Sequence, residues 1–375
     1  MNRAYRYRIY PNKEQKEQLE KTFGCCRYVY NAVLDLHNKR HEAGEKYLSK
    51  INANNWCNRE LKAENPWLRE VDKFALTNTI FALDTGFQKF FDKSGGYPKF
   101  KSKKRSKKSY TTNFTSNNIR VSDNAIRLPK LGEVKAVIHR KALEDWTLKS
   151  ATVTEEHDGT FYCSVLYEME MKTENEIGIT KSSQKVIGLD YKSDGLYMDS
   201  EGKVCGSPKY YRKSMEILSM RQRKLKNKVI GSNNYYKQQK KVAKLHRHTA
   251  NQRKDFLHKE SLSIAKTYDI VCVEDLNMRA MSNKSFGNGR ATLDNGYGMF
   301  LNMLEYKLTE RGKHLVKVSK WYASSQICSK CGRKQSMGLG VRTYRCECGM
   351  IMDRDKNAAI NIKNEGIRTL AGMTA

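Results

Sequence analysis

Val186-Ile187-Gly188-Leu189-Asp190 is a short apolar run that ends on a carboxylate, and Val271-Cys272-Val273-Glu274 repeats that arrangement further along the chain. Both read as strands. Around them stand a turn at Ser193-Asp194-Gly195, a strand at Leu196 to Met198, long basic helices, and a helix near Tyr297 to Thr309. A strand at His314 to Val318, a cysteine cluster and a last helix complete the order. Strands and helices mixed in this way predict an α/β domain whose sheet is covered by helices. Working outward, the polar, serine-rich stretch 172–184 reads as a linker. Before it, residues 4 to 9 alternate, with Tyr5, Tyr7 and Ile9 on one side and Arg6 and Arg8 on the other, the period of a strand. Pro11 and Asn12 end that strand, and Asn12 can cap a helix whose stripe is Leu19, Phe23, Cys26, Val29, Val33 and Leu36. A second helix is predicted from about Asp72 to Phe91. From Ile119 to Glu168 the pattern becomes β-rich, with Ala151 to Thr154 and Phe161 to Leu166 facing each other across Asp158-Gly159, a hairpin signal. The simplest assembly is a small barrel that includes the first strand and is interrupted by a helical module.

The chain has 375 residues, and 70 Lys+Arg against 40 Asp+Glu give a formal net charge of +30. Such an excess argues for a polyanionic partner. With 21 Tyr and 12 Phe interleaved among the basic residues, nucleic acid is favoured over a membrane surface or an acidic protein, because aromatic rings stack on bases where lysines hold phosphates. The run 99–108 holds seven basic residues in ten, among them Lys99, Lys101, Lys103, Lys104 and Arg105. It reads either as a phosphate-contacting loop or as a solvated linker. The stretch 221–259, which opens with Arg221, Arg223 and Lys224, has few apolar residues and predicts a helical hairpin lying along a phosphate backbone. No window has the ~18 consecutive apolar residues of a membrane span. The first residues lack the apolar core of a secretory signal, so an intracellular protein is expected.

Three carboxylates can carry chemistry: Asp190 and Glu274 at strand ends, and Asp353 ahead of the last helix. Carboxylates at strand ends project into the crevice at a sheet's edge. Magnesium prefers hard oxygen ligands and bridges substrate phosphates, and two ions roughly 3.5–4 Å apart would activate water and stabilise the leaving oxygen of a phosphodiester. Metal-assisted hydrolysis is the expected reaction. Asp355 is read as a cap of the last helix or as a further metal contact. Cys328 and Cys331, then Cys346 and Cys348, form two close thiol pairs, each beside a glycine, and match a structural zinc ribbon despite the shortened second pair. The other six cysteines, Cys25, Cys26, Cys57, Cys163, Cys205 and Cys272, read as reduced core residues. The segment 285–290 lacks what a nucleotide cradle requires and reads as a loop near the cleft.

Gly188-Leu189-Asp190, Val273-Glu274-Asp275-Leu276-Asn277-Met278, Ser325-Gln326-Ile327-Cys328-Ser329-Lys330-Cys331-Gly332 and the stretch from Cys348 to Ile362, which contains Asp353-Arg354-Asp355-Lys356-Asn357-Ala358-Ala359, closely resemble the TnpB proteins of bacterial insertion sequences. These are compact relatives of type V CRISPR effectors. The likeness extends to 7–13, 23–31 and 97–101. The resemblance implies an RNA-guided DNA endonuclease of α+β multidomain architecture. A wedge-like β-barrel (1–11 and 110–180) with an inserted helical recognition module (12–109) would precede an RNase H-like α/β RuvC nuclease domain (185–325 and 350–375). A zinc ribbon that binds target nucleic acid (326–349) would interrupt the latter. By motif match Asp190, Glu274 and Asp353 would be the catalytic, magnesium-binding carboxylates. The partners implied are a structured, transposon-derived guide RNA and target double-stranded DNA, with neither a membrane nor a small-molecule substrate, in the cytoplasm of a bacterium or archaeon. Lys73, Phe74, Thr77, Thr112 and Asn113 would read a short motif beside the target. Two rivals remain: a nuclease-inactive RNA-guided DNA-binding regulator, against which the intact acidic trio argues, and a DNA transposase, for which no tyrosine or serine nucleophile motif is found.

Overall fold

The structure is a computed structural model that describes residues 2–169, 184–283, 289–338 and 340–373. The chain divides into two compact units, Met1–Lys172 and Thr173–Ala375. The expected linker at 172–184 falls almost wholly outside the described residues, as does 285–288 of the expected loop; Gly289 and Arg290 begin a helix.

In the first unit, β1 (Asn2–Tyr10) buries Tyr7 and Ile9 and turns Arg6 and Arg8 outward. Asn12 then starts α1 (Lys13–Glu42) with a reciprocal cap: its side chain accepts from the Gln15 N–H at 2.8 Å, and its own N–H donates to the Gln15 side chain at 3.0 Å. After α2 (Lys50–Trp56), a π-helical turn (Cys57–Leu61) and α3 (Lys62–Glu64) comes α4 (Lys73–Phe91), which begins at the Asp72 cap. The strands β2 (Lys108–Asn113), β3 (Arg120–Val121), β4 (Ala125–Leu128), β5 (Gly132–Val137), β6 (Thr147–Glu155) and β7 (Phe161–Glu168) follow. They join β1 in a seven-stranded sheet ordered β2-β6-β7-β1-β5-β4-β3, all of it antiparallel. The first strand is thus central, paired with β7 and β5, and the helices are an insertion between it and the rest. The β6–β7 hairpin turns at Asp158-Gly159, where Gly159 takes φ +81°. One apolar core runs from Tyr7 and Ile9 through Leu19, Val29, Leu76 and Leu83 to Val153 and Val165, welding helices to sheet.

The second unit contains β8 (Val186–Tyr191), β9 (Tyr197–Asp199), β10 (Val204–Cys205), α5 (Tyr210–Lys226), α6 (Asn233–Thr267), β11 (Ile270–Glu274), α7 (Met278–Met281), α8 (Gly289–Asn295) and α9 (Tyr297–Thr309). It continues with β12 (His314–Val318), the small strands β13 (Thr343–Arg345) and β14 (Ile351–Asp353), and α10 (Arg354–Met373). The five-stranded sheet runs β10-β9-β8-β11-β12, with β8, β11 and β12 parallel and the first two strands antiparallel, an RNase H-like order. Alternation then sorts the residues. Ile187, Leu189, Val271 and Val273 pack against α6 and α9, together with Leu257, Phe300 and Leu304. Ile270, Cys272 and Val316 pack on the opposite face with Ile362 of α10. Among the described residues, no helix is long and apolar enough to cross a membrane.

Helix α10 lies unusually close to the sheet because two glycines let it. A Cβ on Gly188 would stand 2.1 Å from the Ala359 carbonyl oxygen, and one on Gly366 would stand 2.3 Å from the Cys272 sulfur. Gly188→Ala is therefore expected to destabilise the protein by about 3 kcal/mol through overpacking against backbone that cannot swing aside. Chemical denaturation measures this, and an unchanged midpoint would show that the helix has room to retreat.

Candidate active site

The site begins with strand register. Val273 pairs with Leu189 across the parallel β8–β11 ladder, so the next residue on each strand, Asp190 and Glu274, emerges on a neighbouring position. Both share the strand parity of Gly188 and Cys272, the residues that meet α10. On α10 the residues that meet this face are Ala359, Ile362 and Gly366, and Asp355 lies on the same stripe one turn before Ala359. The three carboxylates that converge are therefore Asp190, Glu274 and Asp355.

This gives the helix cap, one of the two roles read for Asp355, to Asp353, and puts Asp355 in the place expected for Asp353. Asp353 is exposed, and its Oδ1 accepts the backbone N–H groups of Asp355 at 2.8 Å and Lys356 at 3.1 Å, which makes it the N-cap of α10. Asp355 instead accepts a 2.7 Å charge-assisted bond from Lys192, whose ammonium also lies 3.7 Å from Asp194. The physical reason is geometric: a capping residue precedes the first helical turn, where its side chain folds back on the helix instead of crossing to the sheet.

The electrostatics of the cleft are those of like charges forced together. Burial pushes the Asp190 carboxyl well above the usual carboxylate range, Glu274 and Asp355 push it further, and Arg354 and Lys192 pull it back. Burial also raises Glu274, against the pull of a 2.5 Å hydrogen bond from the Ser324 hydroxyl. Tyr297, buried at the start of α9, has a hydroxyl without a hydrogen-bond partner; burial raises its pKa and both carboxylates raise it further. Hard oxygens, a surplus of negative charge and an orphaned buried hydroxyl fit a divalent cation with its water shell. Lys192, Ser324 and Tyr297 carry no motif in the sequence. Asp355 could have been found there, since its spacing of four from Ala359 and seven from Ile362 marks the buried stripe.

Downstream, the α10 motif clamps a loop. Asn357 donates to the Ile327 carbonyl at 2.7 Å and accepts from the Ser329 N–H at 2.9 Å, while Asn361 donates to the carbonyls of Ser324 at 2.8 Å and Ile327 at 2.6 Å. Cys328 follows at once. Its sulfur lies 3.6 Å from that of Cys348, Cys331 lies 3.6 Å from Cys346, and ligand atoms of all four fall within 4.8 Å of one another. Zn–S bonds of ~2.3 Å in a tetrahedron require sulfurs about 3.8 Å apart, so the donor set fits zinc. The C-x-C spacing is absorbed by a turn in which Gly349, at φ +83°, donates to the Cys346 carbonyl at 3.0 Å. Among the described residues this is the one group of three or more such side chains tight enough to share a single ion. The carboxylates stand wider, with Asp355 drawn toward Lys192.

Of the residues read as nucleic-acid contacts, the first unit brings Lys73, Phe74, Thr77 and Asn113 to one locality, where Asn78 of α4 bridges to β2 by donating to the Thr111 carbonyl at 2.8 Å and the Asn113 side chain at 3.0 Å. Thr112 does not belong with them: it alternates inward with Tyr110 and is fully buried. Lys101 is likewise not a free cation, since its ammonium sits 3.8 Å from the Tyr30 ring centroid and its backbone is bonded on both sides by Asn31. Lys99, Lys103, Lys104 and Arg105 are exposed. In the second unit Arg223 and Lys224 are exposed, whereas Arg221 is tied into the α5–α6 hairpin through the Lys241 carbonyl at 3.1 Å.

A raised acid pKa has a defined signature in stability. The folded protein releases the Asp190 proton at a higher pH than the unfolded chain does, so the stability this group contributes is full below the ordinary value of about 3.9 and is lost as pH rises through the folded value. Asp190→Asn is thus expected to melt above the parent at neutral pH without added divalent ions, and to match it near pH 3–4. Thermal melts at both pH values measure this; a constant difference would contradict the burdened carboxylate.

The chain matches three family models: a "Helix-turn-helix domain" over residues 1–46, an insertion-sequence "Probable transposase" model over 164–285, and a "Cas12f1-like, TNB domain" over 297–362. The first of these segments is a strand followed by one long helix in this structure. A "Putative RNA-guided DNA endonuclease" of Streptomyces pristinaespiralis is 31% identical over 374 residues, which cover 99% of this chain and 91% of the relative. The "Putative RNA-guided DNA endonuclease InsQ" of Escherichia coli (strain K12) is 29% identical over 98% of this chain and 93% of its own. Among solved structures, Cas12f1 in a complex with single-guide RNA and target DNA shares the fold, with a TM-score of 0.61 at 12% identity over 97% of this chain and 99% of that one. The full-length match to these relatives, with the site motifs in order on a shared fold, makes the chain a member of the TnpB family of insertion-sequence proteins.

Proposed function

We propose that the protein binds a structured guide RNA, pairs it with one strand of double-stranded DNA beside a short adjacent motif, and hydrolyses the DNA at a RuvC-like centre formed by Asp190, Glu274 and Asp355. The single observation that carries this reading is the convergence of those carboxylates on one face of the sheet, at the carboxyl ends of two adjacent parallel strands. The names of the relatives supply the guide RNA and the DNA target. The net charge of +30 agrees with partners recognised chiefly through phosphate backbone and A-form shape.

Magnesium ions bound by these carboxylates would supply an activated water and charge stabilisation for the leaving oxygen. The rest is the work of the chain. Ser324 orients Glu274, Lys192 and Arg354 offset the charge beside Asp355, and the Tyr297 hydroxyl is a donor available to the shell of a bound ion. Zinc in the four-cysteine site would be closed by thiolates and purely structural, holding the loop that leads back to Ser324. Lys73, Phe74, Thr77 and Asn113, with Asn78 added and Thr112 removed, are proposed as readers of the adjacent motif.

Plasmid carrying a matched target tests this directly. Cleavage is expected with magnesium and none with EDTA. Asp355→Ala, like Asp190→Ala and Glu274→Ala, should lower the rate at least ~1000-fold, in line with the loss of a metal ligand or of transition-state charge stabilisation. Asp353→Ala should keep cleavage within ~10-fold and cost about 1 kcal/mol of stability as a lost cap. Abolished cleavage in Asp353→Ala with a well-folded product would return the catalytic role to that residue, and binding without any cleavage would make the protein a silent regulator. For zinc, elemental analysis should find one ion per chain, lost in Cys328→Ser together with a lower melting temperature; a full zinc complement in that variant would refute the site.

A further inference from the structure

We propose that Trp321 is a stacking platform for one nucleobase of the single strand presented to the carboxylates, an assignment that rests on the nuclease reading above for the identity of that strand. Trp321 is 84% exposed, which by itself says little, since isolated exposed apolar residues are common. Its setting says more. The ring is carried on an ordered turn: the Trp321 N–H donates to the Ser319 hydroxyl at 3.3 Å and the Tyr322 N–H to the Ser319 carbonyl at 3.0 Å. The Lys320 ammonium stands 4.9 Å from the indole centroid, so a cation flanks the aromatic face. Beside them opens a hollow of about 400 Å³ lined by Asp275, Leu276, Asn277, Ser319, Lys320 and Trp321. Its composition is that of a base site: an indole and a leucine for the ring, an asparagine, a serine and a carboxylate for the polar edge, and a lysine for the neighbouring phosphate.

The location fixes the occupant. β12 ends at Val318, which pairs with Glu274, so the turn leaves the sheet directly beside the site. Three residues reach at most ~10 Å, so Trp321 stands within that distance of the strand end that carries the carboxylate's partner. The same loop returns to the site at Ser324, which donates to Glu274. A phosphate held at the carboxylates would therefore put a nearby base within reach of the indole. Stacking requires a free face, which a paired base inside a duplex does not offer, so the occupant is single-stranded. Asp275 disfavours a phosphate at its end of the hollow and directs the backbone toward Lys320.

The test uses the full chain with its guide RNA bound, in an Asp190→Asn background so that the strand is not consumed, and short deoxyoligonucleotides carrying one abasic position stepped along the sequence. Trp321→Ala is expected to weaken single-strand binding by ~5- to 100-fold, the range for one stacked base, while Trp321→Phe keeps most of the affinity. One abasic position should produce the same loss and add nothing further in Trp321→Ala, and the salt slope should stay unchanged because no phosphate contact is removed. Indole quenching on binding should be absent in Trp321→Phe. Affinity of Trp321→Ala within twofold of the parent, an abasic scan without a coupled position, or equal losses for duplex and single strand would each overturn the assignment. Because binding is read in the Asp190→Asn background and cleavage in the parent, a stacking signal together with a parent that never cuts with magnesium would sink the nuclease reading alone, and a parent that cuts without the signal would sink this one alone.

Discussion

The parallel register of β8 on β11 is the constraint from which the second unit follows. Pairing Leu189 with Val273 obliges Asp190 and Glu274 to emerge side by side on the same face, in a setting where burial raises both pKa values and the charges of Glu274 and Asp355 raise that of Asp190 further. A fold selected for stability alone would not put two carboxylates there. What offsets the cost is local: a hydroxyl from Ser324 on Glu274, and Lys192 and Arg354 near Asp355. Strain of this kind, concentrated at one end of a well-packed sheet, is the ordinary mark of a site prepared for a counterion.

The segment from Asp353 to Ile362 shows how one short helix start serves four purposes. Asp353 caps, Asp355 joins the cluster, Asn357 and Asn361 clamp the loop before Cys328, and Ala358, Ala359 and Ile362 pack. Small residues are needed at 359 and 366 because the helix backbone nearly touches Gly188 and Cys272. The cysteine ribbon and the carboxylate cluster thus share a support. Between them lies a loop with Ser324 on Glu274 at one end and Cys328 at the other, and the hydrogen bonds of the two asparagines tie that loop to α10.

Much of this was readable in the sequence, and the failures are instructive. Periodicity gave β1, α1, α4 and the β6–β7 hairpin closely, because alternation and capping are local. It gave α9 and β12 to the residue. The carboxylates were harder. Asp353 and Asp355 differ by two positions, and choosing between them required the helix stripe through Ala359 and Ile362, which points Asp355 at the sheet and leaves Asp353 outside the first turn. Thr112 failed by parity, since Tyr110 fixes which side of β2 is interior. Lys192, Ser324 and Tyr297 could not have been found, as Asp355, Glu274 and the carboxylate pair that they respectively face come beside them only through the tertiary fold.

The charge also means less, residue by residue, than its sum suggests. Several cations are spent inside the fold. Lys307 is buried and donates to the His258 carbonyl at 2.6 Å and the Ser261 hydroxyl at 2.7 Å, and Lys313 donates to the Ala265 carbonyl at 3.1 Å near the end of α6, where its charge complements the negative end of the helix dipole. Lys101 lies on Tyr30, and Arg221 closes a hairpin. Because such groups are already paired or packed, they release no counterions when a polyanion binds, and only exposed cations contribute to the salt dependence of binding. The basic composition identifies the class of partner; burial decides which residues can meet it.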